Sequence, residues 1–280
     1  PKHGLLSVEA LTAFLENGCE NRHGVPHNRA TGRPVRGVIS VDILGHPSDL
    51  TAISEVAARH GVAVIEDATE SLGATIGGVR LGGIAPITAF SFNGNKLLTT
   101  GGGGMLTTND DRIADRARYL TTQAKDDPIE YVHNEIGYNY RLTNLQAAVG
   151  VAQLERLDEF ISSKLSIARR YRQAFEALPD LGLIEGPPWG NSMYWLATAS
   201  LHPESKVSSR ALLRLLESSN IQTRPLWQPL HRSPAHAGSW ASPCPYAEDL
   251  AARSLSLPSS THLSPDDQDR VIEAVVQALA

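Results

Sequence analysis

The chain has 280 residues and a mass of 30.2 kDa, enough for one large domain and a smaller one. Its net charge of -5, with a pI near 6.1, argues against a general nucleic-acid surface, and no apolar run approaches a membrane span. Only Cys19 and Cys244 are present, far apart, so there is neither a disulfide framework nor zinc-type spacing, and the simplest setting is cytoplasmic.

In chain order, Leu5, Val8, Leu11 and Leu15 follow helical spacing, and Gly18 closes that segment. Residues 21–36 are polar, with prolines and glycines, and read as a loop. Gly37 to Leu44 reads as a strand, and a helix opens at Ser48 or Asp49 and runs to about His60. Val62 to Ile65 forms the next strand, ending on Glu66 and Asp67. Strand, helix, strand is a βαβ unit, so the sheet is expected to be largely parallel or mixed.

A further strand, Ile87 to Phe92, carries Ser91 and leads to Lys96 in a loop. Four glycines, Gly101 to Gly104, precede a strand over Met105 to Thr108. Because a strand rather than a helix follows them, they read as tight turning beside the lysine and not as a phosphate loop. Asn109 or Asp110 caps a helix to about Thr121, and residues 123–139 read as a long, functional loop. From Thr143 a helical pattern runs to Leu178, with a break near Leu157. Its basic residues, Lys164, Arg169, Arg170 and Arg172, read as a solvated face. A boundary near Pro179 divides the chain into residues 1–178 and 179–280. The second part reads as a small α+β cap: strands at Tyr194 to Leu201 and Ile221 to Arg224, and helices at Ser208 to Ser218, Tyr246 to Ser254 and Pro265 to Leu279.

A carboxylate at one strand end and a lysine after another is a geometry suited to chemistry, since ligands of open α/β sheets bind beyond the carboxyl ends of the strands. Pyridoxal phosphate needs a lysine amine for its aldehyde, a carboxylate opposite its ring nitrogen, and hydroxyl or backbone donors for its phosphate. Asp67, Ser91 and Lys96 supply one of each side-chain type. Spacing alone leaves open a turn-capping aspartate, a strand-end serine and a solvated lysine. Other chemistries fit poorly. His23 and His27 stand four apart but fall in the polar segment read as a loop, so no helical metal pair is formed, and neither a G-x-S-x-G elbow nor a G-x-G-x-x-G after the first strand is present.

The segments EDATESLGA, AFSFNGNK, TTGGGGM and EIGYNYRLTNLQAAVGVAQLE resemble, in order and along the whole chain, the DegT/StrS nucleotide-sugar aminotransferases of PLP fold type I. SFNGNK with TTGGGGM is most similar to enzymes that aminate UDP-linked 4-keto-6-deoxy sugars. The resemblance implies an α/β large domain and a small C-terminal α+β domain. It also implies transfer of an amino group, from glutamate, to a nucleotide-linked keto-sugar of cell-surface glycan or antibiotic biosynthesis.

By the same resemblance, Lys96 is the catalytic lysine that carries the cofactor, Asp67 partners its ring nitrogen, and Ser91 contacts its phosphate. Glu70 lies near the ring. Asn139 reaches the phosphate of a neighbouring subunit's cofactor, which makes the protein a homodimer with shared sites. RPLWQPLH is similar to the family's substrate-proximal loop, offering Trp227 and His231 to substrate. Asp42 stands where many relatives have histidine. Relatives carry roughly a hundred further residues upstream, including a Ser-Gly-Thr turn for the phosphate that nothing in Pro1 to Leu44 matches. The alternative is therefore a truncated, catalytically incomplete member that serves only as a subunit or binding protein.

Overall fold

The structure, a computed structural model, describes residues 3–127 and 129–279. Ser7 caps α1 (Val8–Ala13) by accepting from the Ala10 N–H, and a π turn over Phe14–Gly18 ends the segment where the glycine predicts. Expected as loop, residues 21–36 instead contribute to an antiparallel hairpin of β1 (Cys19–Arg22) and β2 (Val25–Asn28). His23 and Gly24, both at positive φ, make its two-residue turn. Its strands pair through the backbone with few apolar side chains, so no alternation marks them in the sequence.

β3 (Gly37–Val41), α2 (Leu50–Arg59, capped by Asp49) and β4 (Ala63–Asp67) form the βαβ unit. The short β5 (Thr75–Ile76) and β6 (Val79–Arg80) form a second hairpin. β7 (Ile87–Ser91) and β8 (Gly104–Thr107) then complete a sheet in the order β3-β4-β7-β8. The first three strands are parallel and β8 is antiparallel, so the sheet is mixed as expected. The glycine run is indeed tight turning. Gly103 has φ near +89°, and a Cβ on Gly104 would lie 2.3 Å from the Phe90 carbonyl oxygen.

Asp110 caps α3 (Asp111–Thr121). Among the described residues of 122–139, pairing is limited to isolated bridges, Thr122 to Asn139 and Asp127 to Val132. Thr143 and Gln146 form a reciprocal capping box on α4 (Asn144–Leu154), and the chain breaks at Arg156 before α5 (Leu157–Phe175). β9 (Leu181–Leu183) follows, and β10 (Gly190–Asn191) joins the β5-β6 hairpin. Then come β11 (Ala197–Leu201), α6 (Ser209–Ser218), β12 (Arg224–Pro225), α7 (Pro245–Arg253), β13 (Ser254–Leu257) and α8 (Pro265–Leu279). The cap sheet runs β12-β13-β11-β9, all antiparallel.

The β13 strand, SLSL, escapes the sequence reading because serines occupy buried positions; Ser256 is satisfied there by the Thr198 hydroxyl at 2.9 Å. The cap core joins the sheet residues Ala199, Leu201 and Leu255 to Leu212, Leu216, Val271 and Val275, with Ile167, Tyr171 and Phe175 of α5.

Lys164 departs from its expected solvated face. It is buried, and its Nζ donates to the carbonyls of Trp195 at 2.6 Å and Ser259 at 2.5 Å. Two carbonyl acceptors make that burial tolerable, and burial pushes the amine's pKa down to about 8. Arg170 and Arg172 pair with Asp269 and Glu185 at the surface.

The strand register sorts the large sheet into two faces. Ser40, Glu66, Thr88 and Thr107 lie in one row, on the face packed by α1 and α2. Val41, Asp67, Ala89 and Leu106 lie in the other. On that second face Ile39 is 64% exposed, Val41 42% and Leu106 45%. Among the described residues no helix is long and apolar enough to cross a membrane.

Leu216 is fully enclosed in the cap core, whereas its neighbour Leu215 is exposed. Leu216→Ala should cost about 2–5 kcal/mol of stability and Leu215→Ala less than about 0.5 kcal/mol. Denaturant unfolding of the two variants measures the difference.

Candidate active site

Lys96 follows β7 in a turn closed by its own N–H on the Asn93 carbonyl. The side chain runs inward, 13% exposed, to place Nζ 3.6 Å from Glu70 Oε1 and 4.1 Å from the centre of the Trp195 ring. At that separation the gross Coulomb attraction to Glu70 is about 4 kcal/mol. A cation over a ring gains about 0.5–2 kcal/mol. Glu70 therefore fixes where the amine sits, before desolvation of both charges takes its share.

Glu70 is itself held. Its Oε2 accepts from the Leu44 N–H at 2.8 Å, and Leu44 adopts φ of 63°, a left-handed conformation that costs a branched residue on the order of 1–3 kcal/mol. Gly45 beside it packs against the 193–195 backbone so closely that a Cβ would lie 2.6 Å from Trp195 N. The strained turn after β3 thus presses Glu70 and Trp195 around one lysine. Burial pushes the Glu70 carboxyl up, against the opposing pull of the Leu44 N–H and the Lys96 charge, while the Asp67 charge adds to the rise.

Ser91, Glu70, Thr69, Lys96 and Trp195 line one cavity of about 10 Å³, room for one water. Lys96 also lines a larger cleft of about 590 Å³ toward the cap, with Asn95, Trp195, Arg224 and Trp227. Asp67 sits at the end of β4, half-buried, with Oδ1 accepting from the Thr69 N–H at 3.1 Å. It is not among the residues lining either cavity, though its charge reaches Glu70. Trp227 stacks on Trp195 at 6.0 Å and 5° between planes. His231 points elsewhere and pairs with Glu248, Nε2 to Oε1 2.7 Å. Asn139 lies apart, lining a cavity of about 480 Å³ with Gly103, Gly104, Arg141 and Gln146.

Trp195 is missed by the sequence reading, which places it inside a strand. Its indole N–H donates to the Asn95 carbonyl at 3.0 Å, a contact across 100 positions that no local pattern encodes. Asp42 is the other surprise. It is fully buried, with Oδ1 accepting from the Ser48 N–H at 2.8 Å and Oδ2 from the Ser71 hydroxyl at 3.0 Å. Glu66 lies close by, with Oε2 accepting from the Thr88 hydroxyl at 2.5 Å and Oε1 without a partner. Burial and the Glu66 charge push Asp42 up to about 8, and burial raises Glu66 as well. The pair ties the ends of β3 and β4 to the turn that carries Thr69 and Glu70.

A mixed α/β sheet with a lysine-centred site at its strand ends, roofed by an α+β cap, defines the class. The chain belongs to the DegT/DnrJ/EryC1/StrS aminotransferase family, whose model matches residues 27–276. It is 39% identical over 275 residues to EpsN of Bacillus subtilis, covering 97% of this chain and 68% of that protein. It is 36% identical to GDP-perosamine synthase of Caulobacter vibrioides, covering 87% of this chain and 66% of that one. The fold superposes on DesV of S. venezuelae with a TM-score of 0.84 at 31% identity, covering 100% of this chain and 70% of that one. The chain spans about two thirds of the length of the relatives it matches. The family is PLP-dependent, and the donor set fits that cofactor: an inward amine, a strand-end carboxylate and a serine hydroxyl at the carboxyl ends of neighbouring parallel strands of one mixed sheet.

The buried carboxyl pair gives a pH prediction. Asp42, raised to about 8 in the folded chain, binds a proton there that the unfolded chain has lost by about pH 4–5. Folding stability should therefore fall as pH rises from about 4 to 8, with unfolded chains holding fewer protons. Asp42→Asn, which keeps an acceptor for Ser48, should flatten that slope in denaturant unfolding at a series of pH values. An unchanged slope rejects the assignment.

Proposed function

We propose that this chain is a PLP-dependent aminotransferase that moves an amino group from an amino-acid donor, glutamate, to a keto-sugar carried on a nucleoside diphosphate. The observation that carries the reading is the Lys96 amine, held inward between Glu70 Oε1 and the Trp195 ring. When bound, pyridoxal phosphate supplies an aldehyde carbon that joins amines and a ring that withdraws electrons from them. Lys96 Nζ would hold that group and move a proton to or from the reacting carbon. Asp67 would keep the ring nitrogen protonated, and Ser91 would donate its hydroxyl to the phosphate. Glu70 would steady Lys96 Nζ and take up its proton, a role suited to a carboxyl whose affinity for protons burial has raised.

Names of relatives support the substrate class: GDP-perosamine synthase and dTDP-3-amino-3,4,6-trideoxy-alpha-D-glucose transaminase act on nucleotide-linked sugars, as those names say. These are GDP and dTDP handles, so UDP remains our own choice from the SFNGNK resemblance. In this reading residues 1–178 carry the cofactor and residues 179–280 form the cap, although α5 packs into the cap core. A homodimer with Asn139 serving the partner's site is supported by apolar side chains exposed around it: Tyr138 stacks on Tyr140 at 5.0 Å, and Leu145 is 81% exposed. The free thiols Cys19 and Cys244 suit a cytoplasmic setting. The open sheet face around Val41 and Leu106 favours a second reading, a chain incomplete by itself that serves as a subunit or binding protein.

Incubation with pyridoxal phosphate, borohydride reduction and peptide mass mapping separate the two. The aminotransferase reading expects the label on Lys96 and its loss in Lys96→Arg. An unlabelled wild-type chain favours the second reading. Asp67→Ala should keep the label yet slow amino transfer by about 100-fold or more, on the scale of removing one electrostatic stabiliser. A near-wild-type rate in that variant removes Asp67 from its assigned role.

A further inference from the structure

The 590 Å³ cleft on the cap side of Lys96 has an unbalanced lining. Lys96, Lys164 and Arg224 contribute three cations, and among the described residues lining it there is no aspartate or glutamate. Two of the cations are already committed. Lys96 faces Glu70, and Lys164 Nζ spends its hydrogen bonds on the carbonyls of Trp195 and Ser259, joining two walls of the cleft. Arg224 is different. Among the described residues no carboxylate pairs with it. Its nearest acceptors are the Thr223 carbonyl at 3.5 Å and the Gln222 amide oxygen, which, turned toward it, accepts at 2.9 and 3.2 Å.

Arg224 is anchored by its backbone as well. It lies in β12, paired with Ser256 of β13, in the rigid cap sheet rather than a free loop. A neutral amide orients the guanidinium without cancelling its charge. The planar fork can still take a carboxylate through two parallel hydrogen bonds. Trp227, three residues further on and stacked on Trp195, supplies an apolar wall beside it.

We propose that this cleft is a carboxylate site and that Arg224 anchors a carboxylate of the amino donor, an inference that rests on the aminotransferase reading. Both substrates of that reaction bring anions, the donor its carboxylates and the sugar its diphosphate. A donor must bring its amine to Lys96 while its carboxylate is only a few bonds away, which a cleft lined by both residues allows. Lys164, locked on carbonyls, holds the walls and adds positive potential without competing for the ligand.

Glutarate, a dicarboxylate with no amine to transfer, is the probe for calorimetric titration of the cofactor-treated chain, with UDP titrated in parallel. Arg224→Gln should weaken glutarate binding by about 10- to 100-fold, the scale of one charge-assisted pair. UDP binding should change less than about threefold. Arg224→Lys, which keeps the charge and loses the fork, should fall between. Kinetically, KM for glutamate should rise in Arg224→Gln while KM for the nucleotide sugar holds. Loss of UDP binding with glutarate retained overturns the proposal and gives the arginine to the diphosphate. Unchanged binding of both ligands overturns it outright. Glutarate titration needs no amino transfer, so a chain that fails the Lys96 labelling test but loses glutarate affinity in Arg224→Gln fails only the broader reading.

Discussion

The site depends on keeping one amine away from bulk water beside a single carboxylate. Lys96 and Glu70 are equally enclosed, each 13% exposed, and 3.6 Å apart. That pairing would be expensive if either partner had to give up water without compensation. The fold compensates Glu70 with the Leu44 N–H and leaves Lys96 an aromatic face. Both compensations come from distant chain, one from the turn after β3 and one from the entry to β11. Glu70, Leu44 and Lys96 come from the sheet half and Trp195 from the cap half, so the completed site takes walls from both.

The strained turn at Ile43–Gly45 is the mechanical link in that closure. Leu44 carries a left-handed backbone, and Tyr194 across from it carries another, with φ of 51°. Two non-glycine residues in that region within one contact mean the surrounding packing over-determines their conformation. What is gained is a backbone donor aimed at Glu70 Oε2 and the Trp195 ring set under Lys96. Behind them Asp42 and Glu66 tie the same strand ends from the opposite face of the sheet. The packing there leaves Glu66 Oε1 without a partner. Burial raises the proton affinity of both carboxyls, and the Glu66 charge raises that of Asp42 further, which disfavours two charges side by side there.

Much of this was legible in the sequence wherever the signal was local. The βαβ unit, the helix starts at Asp49, Asp110, Thr143 and Ser208 and the break before α5 all follow from side chains within a few positions of the element they define. The strand-end positions of Asp67 and Ser91 are legible for the same reason. The hairpin at 19–28 was not, because polar strands carry no period-two stripe. Lys164 was not, because whether a lysine on an amphipathic helix is wet or buried depends on which carbonyls lie opposite, and these belong to residues 195 and 259. Trp195 and Arg224 share that fate: their meaning lies in a cleft assembled from segments more than a hundred positions apart.

The two faces of the large sheet then divide its duties. On the face packed by α1 and α2, the row Ser40, Glu66, Thr88 and Thr107 is polar; Thr88 bonds Glu66 across two strands and Thr107 bonds the Gly82 carbonyl, while Ser40 Oγ stays buried without a partner among the described residues. On the other, Val41, Asp67, Ala89 and Leu106 form a row with a single charge in its middle. A carboxylate centred in an apolar row has no competing donors from its own sheet apart from the Thr69 N–H at its edge. Such a group keeps most of its hydrogen-bonding capacity for something placed over the sheet. In the proposed reading a protonated ring nitrogen would meet that requirement with one short, charge-assisted contact.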